Sequence, residues 1–480
     1  MFLAGAQELG RAKQAADMVG AERRRVPRGH GVVYIAPMAH PADLGVLEAA
    51  DALARRELSS RELTEACLGR IVERDGTHSF EGDLASVNAW VRVYEEDALA
   101  AADAADARLA AGDAPALCGV PIALKDLYAV AGKLLTGSSR VLDEVPERDC
   151  DVWARLRSDG AVLLGHVHTH ELAAGGTTDQ VGNPWDLSRS PGGSSGGSAA
   201  ALATRTTPAA TGTDTAGSLR IPSALCGTST VKPTFGTVPM RGIFPLAASL
   251  DHAGPMARTV ADCEPLLACM AATPAPVERR PLRRVALSPR IAELDPDVAD
   301  GLDRALAELP LVDVPPPEVD LDPGPAFLSA LCAEMLAHHR KLADRRELYR
   351  PSVRGFLEHA ERNALSAAEL AAVQDRRRED RRRWLDWLAE HRLDAIAEPT
   401  VPIVAHPRGA GYDAPFTDVA EISLTHNWNW VGLPVVALPS GLGSRSGLPT
   451  SVSLVGADGA EWDLLAAGAA LQDLLGVPSP

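Results

Sequence analysis

Three residues of this chain could together make a nucleophile and its base. Lys125 stands at the exit of the apolar run Gly119-Val120-Pro121-Ile122-Ala123-Leu124. Ser194 lies in the turn Gly192-Gly193-Ser194-Ser195-Gly196-Gly197-Ser198. Ser218 ends a second turn, Gly212-Thr213-Asp214-Thr215-Ala216-Gly217-Ser218. A serine hydroxyl is a weak nucleophile until a neighbouring base takes its proton. A lysine is a base only when neutral, so Lys125 must be buried enough to lose its usual pKa near 10.4. The strand-like approach through Ile122 to Leu124 is consistent with that burial.

Three segments in this order, GVPIALKD, PGGSSGGSAAA and GTDTAGSLRIPSALCG, resemble the amidase signature family of serine hydrolases. The similarity runs from about 46 to about 475 and is weakest between about 273 and 392. The resemblance implies a Ser-cisSer-Lys triad that cleaves an amide C–N bond through an acyl-enzyme. Ser218 matches the family's nucleophile. Ser194 matches the bridging serine, held by a cis peptide bond, and Lys125 the base. The backbone amides of Thr215, Ala216, Gly217 and Ser218 are then the expected oxyanion hole. Alanine at 216, where relatives often carry glycine, fits only if that position keeps a negative φ. Substrate contacts are expected at Tyr128, Gly193 and Trp430, with loops near 136–139 and 428–430. No metal and no cofactor are expected. An arginine two residues after the nucleophile, Arg220, is read as holding the site's loops, and Asp214 as stabilising its turn.

Other readings compete. Gly192 to Gly196 also satisfies G-x-S-x-G, with His252 or His426 as base, but that motif needs a strand before its serine, and 185–191 is turn-like and ends in Pro191. His166, His168 and His170 alternate along an extended run, a spacing that could ligate a metal. The preferred reading places them on a polar loop edge. Neither glycine turn ends in GK[ST], so phosphate binding is not expected. The chain also resembles the glutamine-hydrolysing subunit of tRNA-dependent amidotransferases. A short 179–182 loop and a divergent 273–392 stretch favour a stand-alone amidase acting on amides, esters or carbamates.

The elements that must position these residues read as α/β: a mixed sheet in one large domain, covered by helices on both faces. Ser59 to Glu62 is a capping box ahead of Leu63, Cys67 and Ile71 at helical spacing. Residues 95–111 and 461–475 read as helices, and 161–167, 394–400, 435–438 and 451–455 as strands. Residues 251–270 are expected to hold a helix. Residues 1–37 read as a flexible extension, with Met38 as an alternative start, and 273–392 as a helical, substrate-selecting insert in the 38–480 domain. The six arginines from Arg376 to Arg383 are expected on a solvated helix face.

Composition sets the outer limits. A net charge of −17 argues against nucleic-acid or anionic-membrane surfaces, and no apolar run of membrane-spanning length appears. Seven scattered cysteines with no CxxC pair predict reduced thiols and a cytoplasmic setting. The expected partner is a small amide-type molecule, bound by a monomer or homodimer.

Overall fold

The apolar runs assemble into one ten-stranded mixed sheet in the computed structural model, which describes residues 40–480 apart from 292, 410 and 418. The expected extension at 1–37 and the alternative start at Met38 lie outside the described residues. The strands are β1 (Trp90–Val93), β2 (Pro121–Lys125), β3 (Val162–Val167), β4 (Ala209–Asp214), β5 (Ser229–Lys232), β6 (His252–Ala257), β7 (Val285–Leu287), β8 (Ala395–Pro399), β9 (Val435–Leu442) and β10 (Pro449–Val455). Their spatial order is β1-β3-β2-β4-β6-β5-β9-β10-β8-β7. The β3-β2-β4 centre is parallel, and most of the remaining pairs are antiparallel. Every residue of β2, β3, β4, β6 and β10 is buried. Since alternate side chains point to opposite faces, the sheet is covered on both.

Among the described residues, fourteen helices do the covering. Before the first glycine turn come α1 (Val46–Ala54), α2 (Ser60–Arg74), α3 (Glu95–Ala111) and α4 (Asp151–Ser158). The central stretch holds α5 (Gly196–Ala203), α6 (Arg220–Cys226), α7 (Val260–Met270) and α8 (Pro296–Leu306). After these come α9 (Gly324–His339), α10 (Pro351–Arg362), α11 (Ala367–Glu390), α12 (Val419–Ile422), α13 (His426–Trp430) and α14 (Glu461–Leu475). The capping box is present: Ser59 Oγ accepts from the Glu62 amide and Glu62 accepts from the Ser59 amide, while Leu63, Cys67 and Ile71 are buried. Helix α5 is built only of Gly, Ser, Ala and Leu and is wholly buried. Side chains that small let its backbone approach the sheet closely.

Three expectations change. Residues 251–270 divide into strand β6 and helix α7. A proline in that window, Pro255, sits in β6, opposite Thr211 of β4. Residues 273–392 are not all helical, because β7 joins the sheet edge parallel to β8. The arginine run on α11 is only partly solvated. Arg377 donates to the Trp430 carbonyl and Arg381 to that of Val431, at the end of α13. Burial lowers Arg377 to about 10.

No helix among the described residues is long and apolar enough to cross a membrane.

Candidate active site

Strand β2 delivers Lys125 into the interior of the sheet, between β3 and β4, where it is fully buried. Pro121 opens the strand, where its missing N–H costs least. The Lys125 Nζ lies 2.8 Å from Ser194 Oγ, 2.9 Å from Ser195 Oγ and 2.8 Å from Thr213 Oγ1. All three neighbours are hydroxyls, and Lys125 has no ion pair among the described residues. Burial lowers its pKa to about 7, against the pull of Asp214 and Asp251 in the other direction. A neutral amine offers two N–H groups and one lone pair, so one of three hydroxyls must donate to it. Ser195 has another acceptor for its proton, the Thr213 carbonyl at 3.3 Å. That leaves either Ser194 or Thr213 as the one donor to the lysine lone pair.

Ser194 follows Gly193 through a cis peptide bond. Gly193 sits so close to Thr177 that a β-carbon would lie 2.3 Å from the Thr177 carbonyl oxygen. The Ser194 carbonyl accepts from the His170 amide and from Thr178 Oγ1, which fixes the turn from behind.

Ser218 lies in the turn between β4 and α6, on the wall of a cavity of about 650 Å³. Thr215 and Ala216 line the same cavity. Among the described residues the amides of Ala216, Gly217 and Ser218 donate to no group, so they are free for a ligand oxygen. The turn's φ values answer the question posed by Ala216. It is Gly217 that takes φ 139°, and Ala216 keeps a negative φ. A β-carbon at 217 would also meet Thr425 Oγ1 at 2.3 Å.

A buried polar frame holds this turn. Arg220 grips Asp214 with two hydrogen bonds, of 3.0 and 2.9 Å, and both side chains are fully buried. Arg220 also donates to the Thr425 carbonyl and to Asn429 Oδ1, and Asn429 returns two bonds to Asp214. Burial would raise the Asp214 carboxyl, but the Arg220 charge and hydrogen bonds hold it well below the usual range. Arg220 is thus committed to the protein, as its structural reading expected. Asp251 accepts from Thr215 Oγ1 at 2.6 Å and from the Leu246 and Ala247 amides. Burial still pushes it up to about 7.

Three expected substrate contacts are not on the cavity wall. Tyr128 is fully buried, and its hydroxyl donates to the Gly212 carbonyl, bracing β4. Trp430 is fully buried on Asp380. Gly193 lies behind Ser194. Residues 136–139 are turned toward Asp126, His168 and Glu171. The walls are instead Leu246, Phe327, Leu331, Phe356, Phe416 and Ile422, with their neighbours. No periodic signal marks these positions, since they come from separate helices and loops. Ser195, Thr213 and Asp251 were also missed. The first two stand beside residues already singled out, and that adjacency was the available signal.

The alternating histidines do not share a face or a loop edge. All three are buried with separate partners: His166 between Tyr94 and the Tyr128 carbonyl, His168 on Ser138, and His170 on the Thr177 carbonyl. Burial lowers each, His170 to about 3. Among the described residues no group of three or more His, Cys, Asp or Glu side chains could hold a metal. His252 and His426 each bond a nearby backbone carbonyl, Leu250 and Ile422, and neither reaches Ser194. No strand precedes Ser194, as the G-x-S-x-G reading would require. All seven cysteines are free thiols.

Comparison with known proteins identifies the family. A family model described as Amidase matches residues 77–465. A glutamyl-tRNA(Gln) amidotransferase subunit of Roseiflexus sp. (strain RS-1) is 36% identical, over 89% of this chain and 96% of its own length. A solved amidase structure superposes with a TM-score of 0.78 at 29% identity, over 90% of this chain and 100% of that one. A 6-aminohexanoate cyclic dimer hydrolase gives 0.78 at 25% identity, over 90% and 97%. With its signature turns folded around one buried lysine and a family match across most of its length, the chain belongs to the amidase signature family, enzymes acting on carbon–nitrogen bonds.

Proposed function

We propose that this protein is a stand-alone serine amidase with Ser218 as nucleophile, Ser194 as proton bridge and Lys125 as base. The observation that carries the reading is the Lys125 contact: a buried amine with a pKa near 7, 2.8 Å from Ser194 Oγ and with no carboxylate bonded to it. Neutral Lys125 takes the Ser194 proton while Ser194 takes that of Ser218, and Ser218 Oγ bonds to the substrate carbonyl carbon. The oxygen becomes an oxyanion, held by the backbone amides of 215–218. As the tetrahedral adduct collapses, the C–N bond breaks and the proton returns through Ser194 to the leaving nitrogen. Water then adds to the Ser218 ester by the same route, releasing acid and free enzyme. Esters and carbamates suit the same steps. The protein acts on a small molecule, as a monomer or homodimer, without metal or cofactor.

One second reading has a specific observation behind it. The amidotransferase relatives are up to 37% identical over nearly their whole length, which favours a glutaminase subunit working with a partner chain. Assaying the purified chain alone and its Ser218→Ala form on amides, esters, carbamates and glutamine separates the two. Ser218-dependent turnover of non-glutamine amides without a partner is expected. Turnover of glutamine alone selects the subunit reading, and equal rates for both proteins overturn the mechanism.

A further inference from the structure

Resting on the amidase reading above, we infer that the substrate is an uncharged amide carrying a large apolar group, held in the cavity that Leu328 on α9 helps to line. The cavity beside Ser218 is about 650 Å³, within the range that encloses a drug-sized ligand. Its buried wall is largely apolar: Leu246, Phe327 and Leu331 are each less than a tenth exposed, and the buried polar residues on it are Thr215, Ser218 and His426. The charged side chains on the wall are already occupied or stand in solvent. Arg290 donates through all three guanidinium nitrogens to the carbonyls of Leu321, Leu424 and Ser423. His426 bonds the Ile422 carbonyl through Nδ1, burial disfavours its charged form, and its Nε2 lies 3.4 Å from Asp322, whose side chain is 78% exposed. Glu293 is exposed.

A free amino acid amide such as glutamine brings an ammonium and a carboxylate. Both would leave water for a mostly apolar wall, whose Arg290 already donates to three carbonyls and whose acids, Glu293 and Asp322, stand in solvent, and that desolvation is unfavourable. An alkyl or aryl group, by contrast, gains from every methylene placed there. Leu328 lines the cavity but is only half-buried, so its substitution costs the fold less than that of Phe327 or Leu331.

Two series test this: primary amides from acetamide to decanamide, read by ammonia release, and N-alkyl acetamides of the same lengths. In at least one series kcat/KM is expected to rise about three- to fourfold per methylene until the cavity is full, with glutamine far below the best member. Leu328→Asp should abolish the rise, and Leu328→Trp should stop it at a shorter chain. Flat profiles in both series, or glutamine as the best substrate, overturn the inference while leaving the serine amidase intact. Calorimetric binding of the same amides to Ser218→Ala separates the two failures. Length-dependent binding without wild-type turnover sinks the chemistry and keeps the cavity assignment, and length-independent binding sinks the cavity assignment.

Discussion

The reactive centre and the cavity beside it are built by opposite rules. At the centre, Lys125, Ser194, Ser195, Thr213, Asp214 and Arg220 are all buried, and each polar group is answered by another. They come from two strands, one turn and the start of α6, within about a hundred residues of chain. The cavity wall comes from 173–176, 289–294, 321–331 and 416–426, with apolar contacts that any side chain of similar volume could replace. On the proposed reading, chemistry depends on specific atoms at specific distances, whereas specificity depends on shape and on a largely apolar wall.

Single substitutions can break or sharpen that contrast. The largest effect is expected at the centre. Ser218→Ala and Lys125→Ala should each lower kcat/KM by about 10⁴-fold or more, with circular dichroism unchanged for Ser218→Ala. If Lys125→Ala keeps more than about a tenth of the activity, the lysine is scaffold and the contrast fails.

The pH profile comes next. Lys125 must be neutral, and burial sets its pKa to about 7. Activity should therefore rise with pH and level off above about 8, with about a tenth of the maximum left at about pH 6. The same group also affects stability. Its folded pKa is below the unfolded value, so between about 7 and 10.5 the unfolded chain binds the extra proton, and this contribution to stability grows as pH rises. A kcat/KM profile that is flat from pH 6 to 8 would contradict the neutral-lysine mechanism.

Arg220→Met leaves the buried Asp214 carboxylate without its counter-charge, held only by Asn429 and the Leu219 amide. A stability loss of about 3–5 kcal/mol is expected in urea or thermal unfolding. A loss below about 1 kcal/mol would show that the frame is not what holds the nucleophile turn.

Neighbouring positions of that turn should then behave differently. Gly217→Ala meets both the positive φ and Thr425 Oγ1 and should cost about 10²-fold in kcat/KM. Ala216→Gly, at a negative φ, should change it little. The smallest effect is expected at Tyr128→Phe, which removes one buried hydrogen bond to Gly212. That costs about 1 kcal/mol of stability with KM unchanged. A large KM change there would return Tyr128 to the substrate.

The same contrast explains what could be read in advance. Lys125, Ser194 and Ser218 were singled out because their segments resemble the family's signature, in which tight turns keep glycine, serine and small residues in fixed local order. The strands and helices that carry them were legible from apolar period and caps, as at Ser59 and at the 461–475 helix. Tyr128 and Trp430 misled because a large aromatic near a site is as easily packed behind it as in front, and here each spends its polar atom on the scaffold. β6 was hidden inside 251–270, next to the helix that the window does contain. The cavity residues are apolar positions like many others in the core. Only the fold distinguishes Phe327, which faces a void, from Leu302, which faces neighbours.

One short stretch belongs to both regions. Residues 422–425 form cavity wall through Ile422 and Leu424, while Thr425 presses its hydroxyl onto the Ala216 carbonyl and occupies the space that Gly217 leaves open. A guest that fills the cavity leans on the same segment that supports the nucleophile turn. In the proposed mechanism, affinity gained far from the scissile bond would then be converted into alignment of the Ser218 oxygen. Good and poor substrates of this enzyme should then differ in how fast they acylate Ser218 more than in how tightly they are held.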